Sequence, residues 1–136
     1  MDVLNVEPVF TKSSVISKPT KLIKSKNIDV VVGFSLGGYT AFELAGYTSK
    51  NLILINPAID RSKTLLDIKV YDVPFKRNFG NVEVFLGTED TLINKNWTID
   101  YLKKLNVDAN IYLVKGMEHD TYLEEFDQIL DNSKLC

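Results

Sequence analysis

Apolar residues fall along this chain in short runs, and the spacing within the runs alternates between two periods. Ile28, Val30, Val31 and Val32 form one apolar, β-branched run, and Leu52-Ile53-Leu54-Ile55, Val82 to Leu86 and Ala109 to Val114 form three more. Such runs, short and without polar alternation, predict strands buried on both faces of a sheet. A shorter run, Val3 to Val6, ends at Glu7-Pro8 and predicts a further strand. Between strands the apolar spacing widens to that of a helix. Tyr39, Phe42 and Ala45 mark a helix reaching to about Tyr47, with Gly46 near its C-terminal end. Trp97, Tyr101, Leu102 and Leu105 give the inner stripe of a helix begun by Asn94 or Lys95. Tyr122, Leu123, Phe126, Ile129 and Leu130 give that of the last one.

The linking segments carry weaker patterns. Residues 9–17 read as a loop, and Pro19 can open a short helix from about Thr20 to Ser25 with Leu22 and Ile23 facing inward. Arg61 to Asp67 reads as a short helical turn, after which Ile68 to Gly80 runs over the surface. Strands alternating with helices predict an α/β fold: a three-layer sandwich around a mainly parallel sheet of about five strands, as a single domain over residues 1–136. In such sheets the loops that carry function gather at the carboxyl ends of the strands.

Composition narrows the picture. With 136 residues, 45% apolar and 25% charged, the chain suits one ordinary globular core. A formal net charge of −2 without a block of Lys or Arg gives no electrostatic case for binding nucleic acid or an anionic membrane. The basic cluster from Lys18 to Lys26 reads as the solvated face of a short helix. No run approaches the ~20 apolar residues of a membrane span and the N-terminus lacks a signal-peptide profile, so the expected location is cytoplasmic. The one cysteine, Cys136, can form no internal disulfide, and with one histidine it makes a His/Cys metal site implausible.

Candidate chemistry centres on Gly33-Phe34-Ser35-Leu36-Gly37, a G-x-S-x-G pattern between a strand and a helix. A serine at so sharp a turn adopts a strained backbone, and Gly33 and Gly37 give strand and helix room to pack closely. The backbone N–H of Leu36, at the helix N-terminus, is then placed to donate to a developing oxyanion. Glycines in a strand-to-helix turn also serve packing alone, so the pattern needs partners. The loop after Leu86 carries Gly87-Thr88-Glu89-Asp90, whose plain reading is an acidic turn or helix cap. The loop after Val114 carries Lys115-Gly116-Met117-Glu118-His119-Asp120. A lone histidine is usually structural or exposed, but His119 falls in a loop at the sheet edge expected for Ser35, where a base for it must sit.

In Gly33-Phe34-Ser35-Leu36-Gly37-Gly38-Tyr39, Asn56-Pro57-Ala58, Gly87-Thr88-Glu89-Asp90 and Gly116-Met117-Glu118-His119, the sequence resembles the α/β-hydrolase superfamily. Within it the chain looks like the small esterases of the YqiA-like, UPF0227 type, and the likeness runs from about Ile28 to Leu130. The order Ser, Asp, His is that of the superfamily's triad. The resemblance implies Ser35 as nucleophile, His119 as general base and then acid, and Asp90 rather than Glu89 as the carboxylate that orients the imidazole. It implies cleavage of a small carboxylic ester or thioester through an acyl-enzyme, with no cofactor, and on that reading Tyr71, Phe75 and Phe79 in residues 68–79 are either part of an apolar acyl site or packing.

The chain departs from the family pattern in one place. The second oxyanion donor usually comes from a loop marked by a His-Gly pair, and no His-Gly occurs here. Relative to the family, the chain is expected to begin one strand and one helix late. The missing strand would lie between the Val3 and Ile28 strands, so either those two pair directly or an exposed edge is covered, for which a homodimer is the expected solution. Losing one oxyanion donor costs about 2.7–4 kcal/mol of transition-state stabilisation. Two functional readings therefore stay open: an active serine hydrolase, or a catalytically weak or inactive hydrolase-fold protein that binds or regulates. A nucleotide-binding module is disfavoured, because neither glycine-rich phosphate loop is present.

Overall fold

The computed structural model of the chain describes residues 3–5, 21, 23, 26–60, 62–63, 76–120 and 123–136. Within them the apolar runs pair side by side as strands β1 (Val3–Asn5), β2 (Val30–Phe34), β3 (Asn51–Ile55), β4 (Val82–Gly87) and β5 (Asn110–Val114). Helices α1 (Ser35–Thr48), α2 (Lys95–Lys104) and α3 (Leu123–Asn132) follow β2, β4 and β5. The strand order is β1-β2-β3-β4-β5 and every neighbouring pair is parallel. The registers Phe34↔Ile55 and Gly87↔Val114 bring the carboxyl ends of the strands to one edge of the sheet. β1 pairs directly with β2, Val3 opposite Val30 and Asn5 opposite Val32, which is the first of the two alternatives set by the sequence.

A sheet that always advances in one direction through right-handed crossovers must put its linking helices on one face. The core follows that rule. Val31, Leu52, Leu54, Val82, Val84 and Leu86 pack with Phe42 and Leu44 of α1 and Leu102 of α2. The alternate strand residues Val30, Val32, Ile53, Ile55 and Phe85 pack on the other face with Ile129 of α3, which follows the last strand. These are the three layers of an α/β sandwich. No helix among the described residues is long and apolar enough to cross a membrane.

Several local expectations shift. Run Ala109 to Val114 is not buried on both faces: among the described residues β5 is an edge strand, and Leu113 is 56% exposed. Gly46 lies near the C-terminal end of α1, as expected, but is not its left-handed stop. It lies inside the helix beneath Phe79 and Arg77, and the left-handed stop is Ser49, at φ 58°, beyond which the Lys50 N–H turns back to the carbonyl of Ala45. Asn94 caps α2, its side chain accepting from the N–H of Asn96, but Thr98 and Leu102 are the residues buried. Trp97 lies outside both core clusters, while Ile99, Tyr101 and Leu105 pack partly buried against the first. Phe79 packs against Phe42 on the α1 face, ring centroids 4.9 Å apart and planes tilted by 40°, which favours packing over an acyl site for that ring. Lys21 and Ile23 are helical and Ile23 is buried, as the short helix at 20–25 requires. The loop at 9–17, most of the 61–67 turn, Tyr71, Phe75 and Tyr122 lie outside the described residues.

Candidate active site

β2 passes into α1 without an intervening residue, and the junction is Ser35, at φ 51°. A non-glycine residue there is strained by roughly 1–3 kcal/mol and persists only where its surroundings fix it. The surroundings here are tight. A Cβ on Gly33 would lie 2.5 Å from that of Ala41 and 2.7 Å from the carbonyl oxygen of Gly37, and one on Gly38 would lie 2.6 Å from the Pro57 ring. Gly33 and Gly38 thus make the close approaches, with Gly37 supplying the carbonyl beneath Gly33. On the far side, the N–H of Ala58 donates to the Ser35 carbonyl at 2.8 Å. The N-cap residue of α1, Phe34, makes no side-chain cap hydrogen bond, so the backbone N–H groups of the first turn, Leu36 among them, receive no capping oxygen from it.

The loop after β4 and the loop after β5 are tied to each other by the backbone. Thr88 N–H donates to the Val114 carbonyl at 3.1 Å, Glu89 N–H to the Met117 carbonyl at 3.0 Å, and Gly116 N–H to the Thr88 hydroxyl at 2.9 Å. Gly116 turns the second loop with φ 80°. The result is a relay. Ser35 Oγ lies 2.8 Å from His119 Nε2, and His119 Nδ1 lies 2.8 Å from Asp90 Oδ2. With the ring proton on Nδ1, the imidazole donates to the carboxylate and accepts from the serine hydroxyl. The other Asp90 oxygen, Oδ1, accepts from the N–H groups of Leu92 and Ile93, both at 2.9 Å. Asp90 is therefore both the plain turn cap and the imidazole's partner, with one oxygen for each.

Burial divides the roles. The Asp90 side chain is 1% exposed and that of His119 is 12% exposed, so the carboxylate is shut off from water while the imidazole stays within reach of a ligand at Ser35. Phe34 flanks the imidazole, ring centroids 5.4 Å apart. Glu89 is exposed. Among the described residues no three His, Cys, Asp or Glu side chains converge where a metal ion could be held. The sequence assigns no role to one residue of this edge, Asn56, whose buried side chain reaches both the end of β4 and the His119 loop. The signal available was an asparagine before proline at the stop of a buried strand.

A family model described as "Uncharacterised protein family (UPF0227)" matches residues 3–70. No curated protein matches the chain. Among solved structures, an alpha-beta serine hydrolase homologue from Coxiella burnetii superposes with a TM-score of 0.61 at 12% identity, over 84% of this chain and 52% of that one. Esterase PE8 gives 0.57 at 18%, over 82% and 53%. XC6422 from Xanthomonas campestris, an a/b serine hydrolase without lid, gives 0.55 at 19%, over 74% and 44%. At these identities the likeness establishes the α/β-hydrolase fold, and the chain spans about half the length of these neighbours.

Proposed function

The chain belongs to the UPF0227 family, and from that premise and the relay at its strand edge we propose that it is a serine hydrolase of small carboxylic esters or thioesters. The observation that carries this reading is the unbroken contact from Ser35 Oγ through His119 to Asp90, 2.8 Å at each step. Both distances fall within the hydrogen-bond reach, about 2.6–3.2 Å, that proton transfer needs.

The chemistry follows from these groups. Ser35 Oγ attacks the carbonyl carbon while its proton passes to His119 Nε2, and the buried carboxylate of Asp90 stabilises the imidazolium. Negative charge developing on the carbonyl oxygen meets the Leu36 N–H at the uncapped start of α1, where the helix dipole adds to the attraction. The imidazolium then gives its proton to the alcohol or thiol as the bond between that group and the carbonyl carbon breaks, leaving the acyl group on Ser35. Water, deprotonated by the same nitrogen, then releases the acid and restores the serine. The likeness to an esterase and to serine hydrolases supports this class of reaction.

The test is labelling of the folded protein by a fluorophosphonate probe beside Ser35→Ala and His119→Ala, with turnover of p-nitrophenyl acetate and of an acetyl thioester in parallel. Labelling and turnover in the wild type, both abolished in the variants, are the expected outcome; single loss of either group costs on the order of 10⁶ in kcat in a comparable triad. A folded wild type that neither labels nor turns over either substrate overturns the reading and leaves a hydrolase-fold binding protein.

A further inference from the structure

We propose that Asn56 is the positioning residue of this site, its side-chain amide holding the His119 loop against the strand end from which Asp90 departs. The proposal rests on the serine-hydrolase reading above.

Asn56 is the first residue after β3. Its backbone N–H donates to the Phe85 carbonyl at 3.0 Å, and the residue is 1% exposed. Its φ is 42°, in the left-handed region where asparagine is one of the few tolerated side chains. The amide is nearly saturated: Oδ1 accepts from Gly87 N–H at 2.8 Å, and Nδ2 donates to the carbonyls of Glu118 at 2.9 Å and His119 at 3.2 Å. Gly87 ends β4, three residues before Asp90, whose own N–H turns back to the Gly87 carbonyl. One side chain therefore spans the root of the carboxylate loop and the backbone of the histidine itself.

The residue type is fixed twice over. The three facing groups demand one acceptor and two donors, which a primary amide supplies from a single carbon. A carboxylate of the same shape would keep the bond from Gly87 but set a negative oxygen against two carbonyl oxygens. Glutamine adds a methylene in a buried site, and serine offers one donor only. The next two residues complete the arrangement: Pro57 packs on Gly38, and Ala58 holds the Ser35 carbonyl. Three consecutive residues thus contact all three loops that bring Ser35, Asp90 and His119 together, and none of them takes part in the relay of hydrogen bonds.

The test uses Asn56→Gly, which keeps the backbone angle and removes the amide, and Asn56→Asp, which keeps its shape and removes the donors. Ser133→Ala serves as the control, because it breaks another buried hydrogen bond, from Ser133 to Glu83, on β4 and away from its carboxyl end. All are compared equally far below their own melting temperatures. His119 is the only histidine, so the downfield proton of its Nδ1–H bond to Asp90 is assigned in the NMR spectrum without ambiguity. Both Asn56 variants are expected to lose or broaden that resonance. They should also label and turn over roughly 10²-fold more slowly, as a displaced catalytic group does, with KM changed by about twofold or less. Ser133→Ala should melt earlier yet keep resonance and kcat. Asn56 variants with the wild-type resonance and kcat would overturn the proposal and leave the hydrolase reading standing. A wild type that shows the resonance but never labels would instead remove the hydrolase reading, while the resonance in the Asn56 variants still decides what holds His119.

Discussion

The N–H of Ala58 and the carbonyl of Ser35 are joined by a 2.8 Å hydrogen bond that crosses from the end of β3 to the strained start of α1. The serine is held by its backbone from the neighbouring strand, while its hydroxyl is left to the histidine. Gly38 is the space that permits this, since a Cβ there would lie 2.9 Å from the Pro57 Cα. Gly38→Ala is expected to destabilise by about 1–3 kcal/mol, as overpacking does, and to slow labelling of Ser35. Gly46→Ala makes the contrast: its Cβ would meet side chains at 3.0–3.1 Å, one of them the flexible Arg77 stem, and the helix gains from alanine. It should stay within about 1 kcal/mol of wild type. Thermal midpoints and labelling rates of the two proteins check both statements; equal effects would mean that the Pro57 contact does not matter.

Asp90→Asn separates the two tasks of that side chain. Asparagine Oδ1 can still accept from Leu92 and Ile93, so the turn and the fold should survive. Toward His119 it offers an amide N–H in place of a carboxylate oxygen, or a neutral oxygen that holds no charge against the imidazolium. A drop on the order of 10⁴ in kcat is expected, with little change in melting temperature. Steady-state hydrolysis of p-nitrophenyl acetate measures the first and circular dichroism the second.

Further along α1, Arg77 donates through Nε at 3.1 Å and Nη2 at 2.7 Å to one oxygen of Glu43, and its guanidinium lies 5.6 Å over the Phe42 ring. Burial pulls the guanidinium's pKa down, but the hydrogen bonds and charge of Glu43 outweigh it, and the net shift is upward. The pair therefore stays ionised on the arginine side at any working pH. Arg77→Ala leaves the Glu43 carboxylate, 6% exposed, without that guanidinium. The cost is expected near 1–3 kcal/mol, below that of a fully buried pair because the Arg77 side chain is 31% exposed. Urea denaturation should show the loss, and Ser35 labelling should not change.

Cys136 is an exposed free thiol, yet its pKa is raised: partial burial pushes it up, the charge of Glu83 adds to this, and a hydrogen bond with Ser133 opposes them. A raised folded-state pKa means that the fold favours the protonated thiol, so this contribution to stability is present below the unfolded thiol's range and is lost as pH rises through the folded value. Because the thiolate is the reactive form, iodoacetamide should alkylate Cys136 more slowly in the folded protein than in urea at about pH 8. A faster reaction in the folded state would contradict the assignment.

The order of elements was legible because strand runs and helix spacing in this chain are unmixed: Val30-Val31-Val32 cannot be read as amphipathic, nor can Phe126, Ile129 and Leu130 be read as alternating. Edge status was not legible. Ile111 and Leu113 have the composition of a central strand, and only the sheet order shows that one side of β5 is open. At α2 a one-residue rotation substitutes Thr98 for Trp97 inside, which spacing alone does not resolve, because a threonine can bury itself by donating to the Pro57 carbonyl. The geometry linking Ser35, Asp90 and His119 was anticipated from the order of three loops. Asn56 had no such signature, since its bonds reach residues 31, 62 and 63 positions away.

The strands join the sheet in the order in which they are synthesised, and the relay closes only across 84 residues, from Ser35 to His119. A nascent chain that has passed Asp90, beyond the end of β4, already carries the serine and the carboxylate but not yet the imidazole of His119. On the serine-hydrolase reading proposed above, Ser35 has no base until His119 docks behind β5, the last strand of the described sheet. Appearance of fluorophosphonate reactivity during refolding would then time the docking of the last strand.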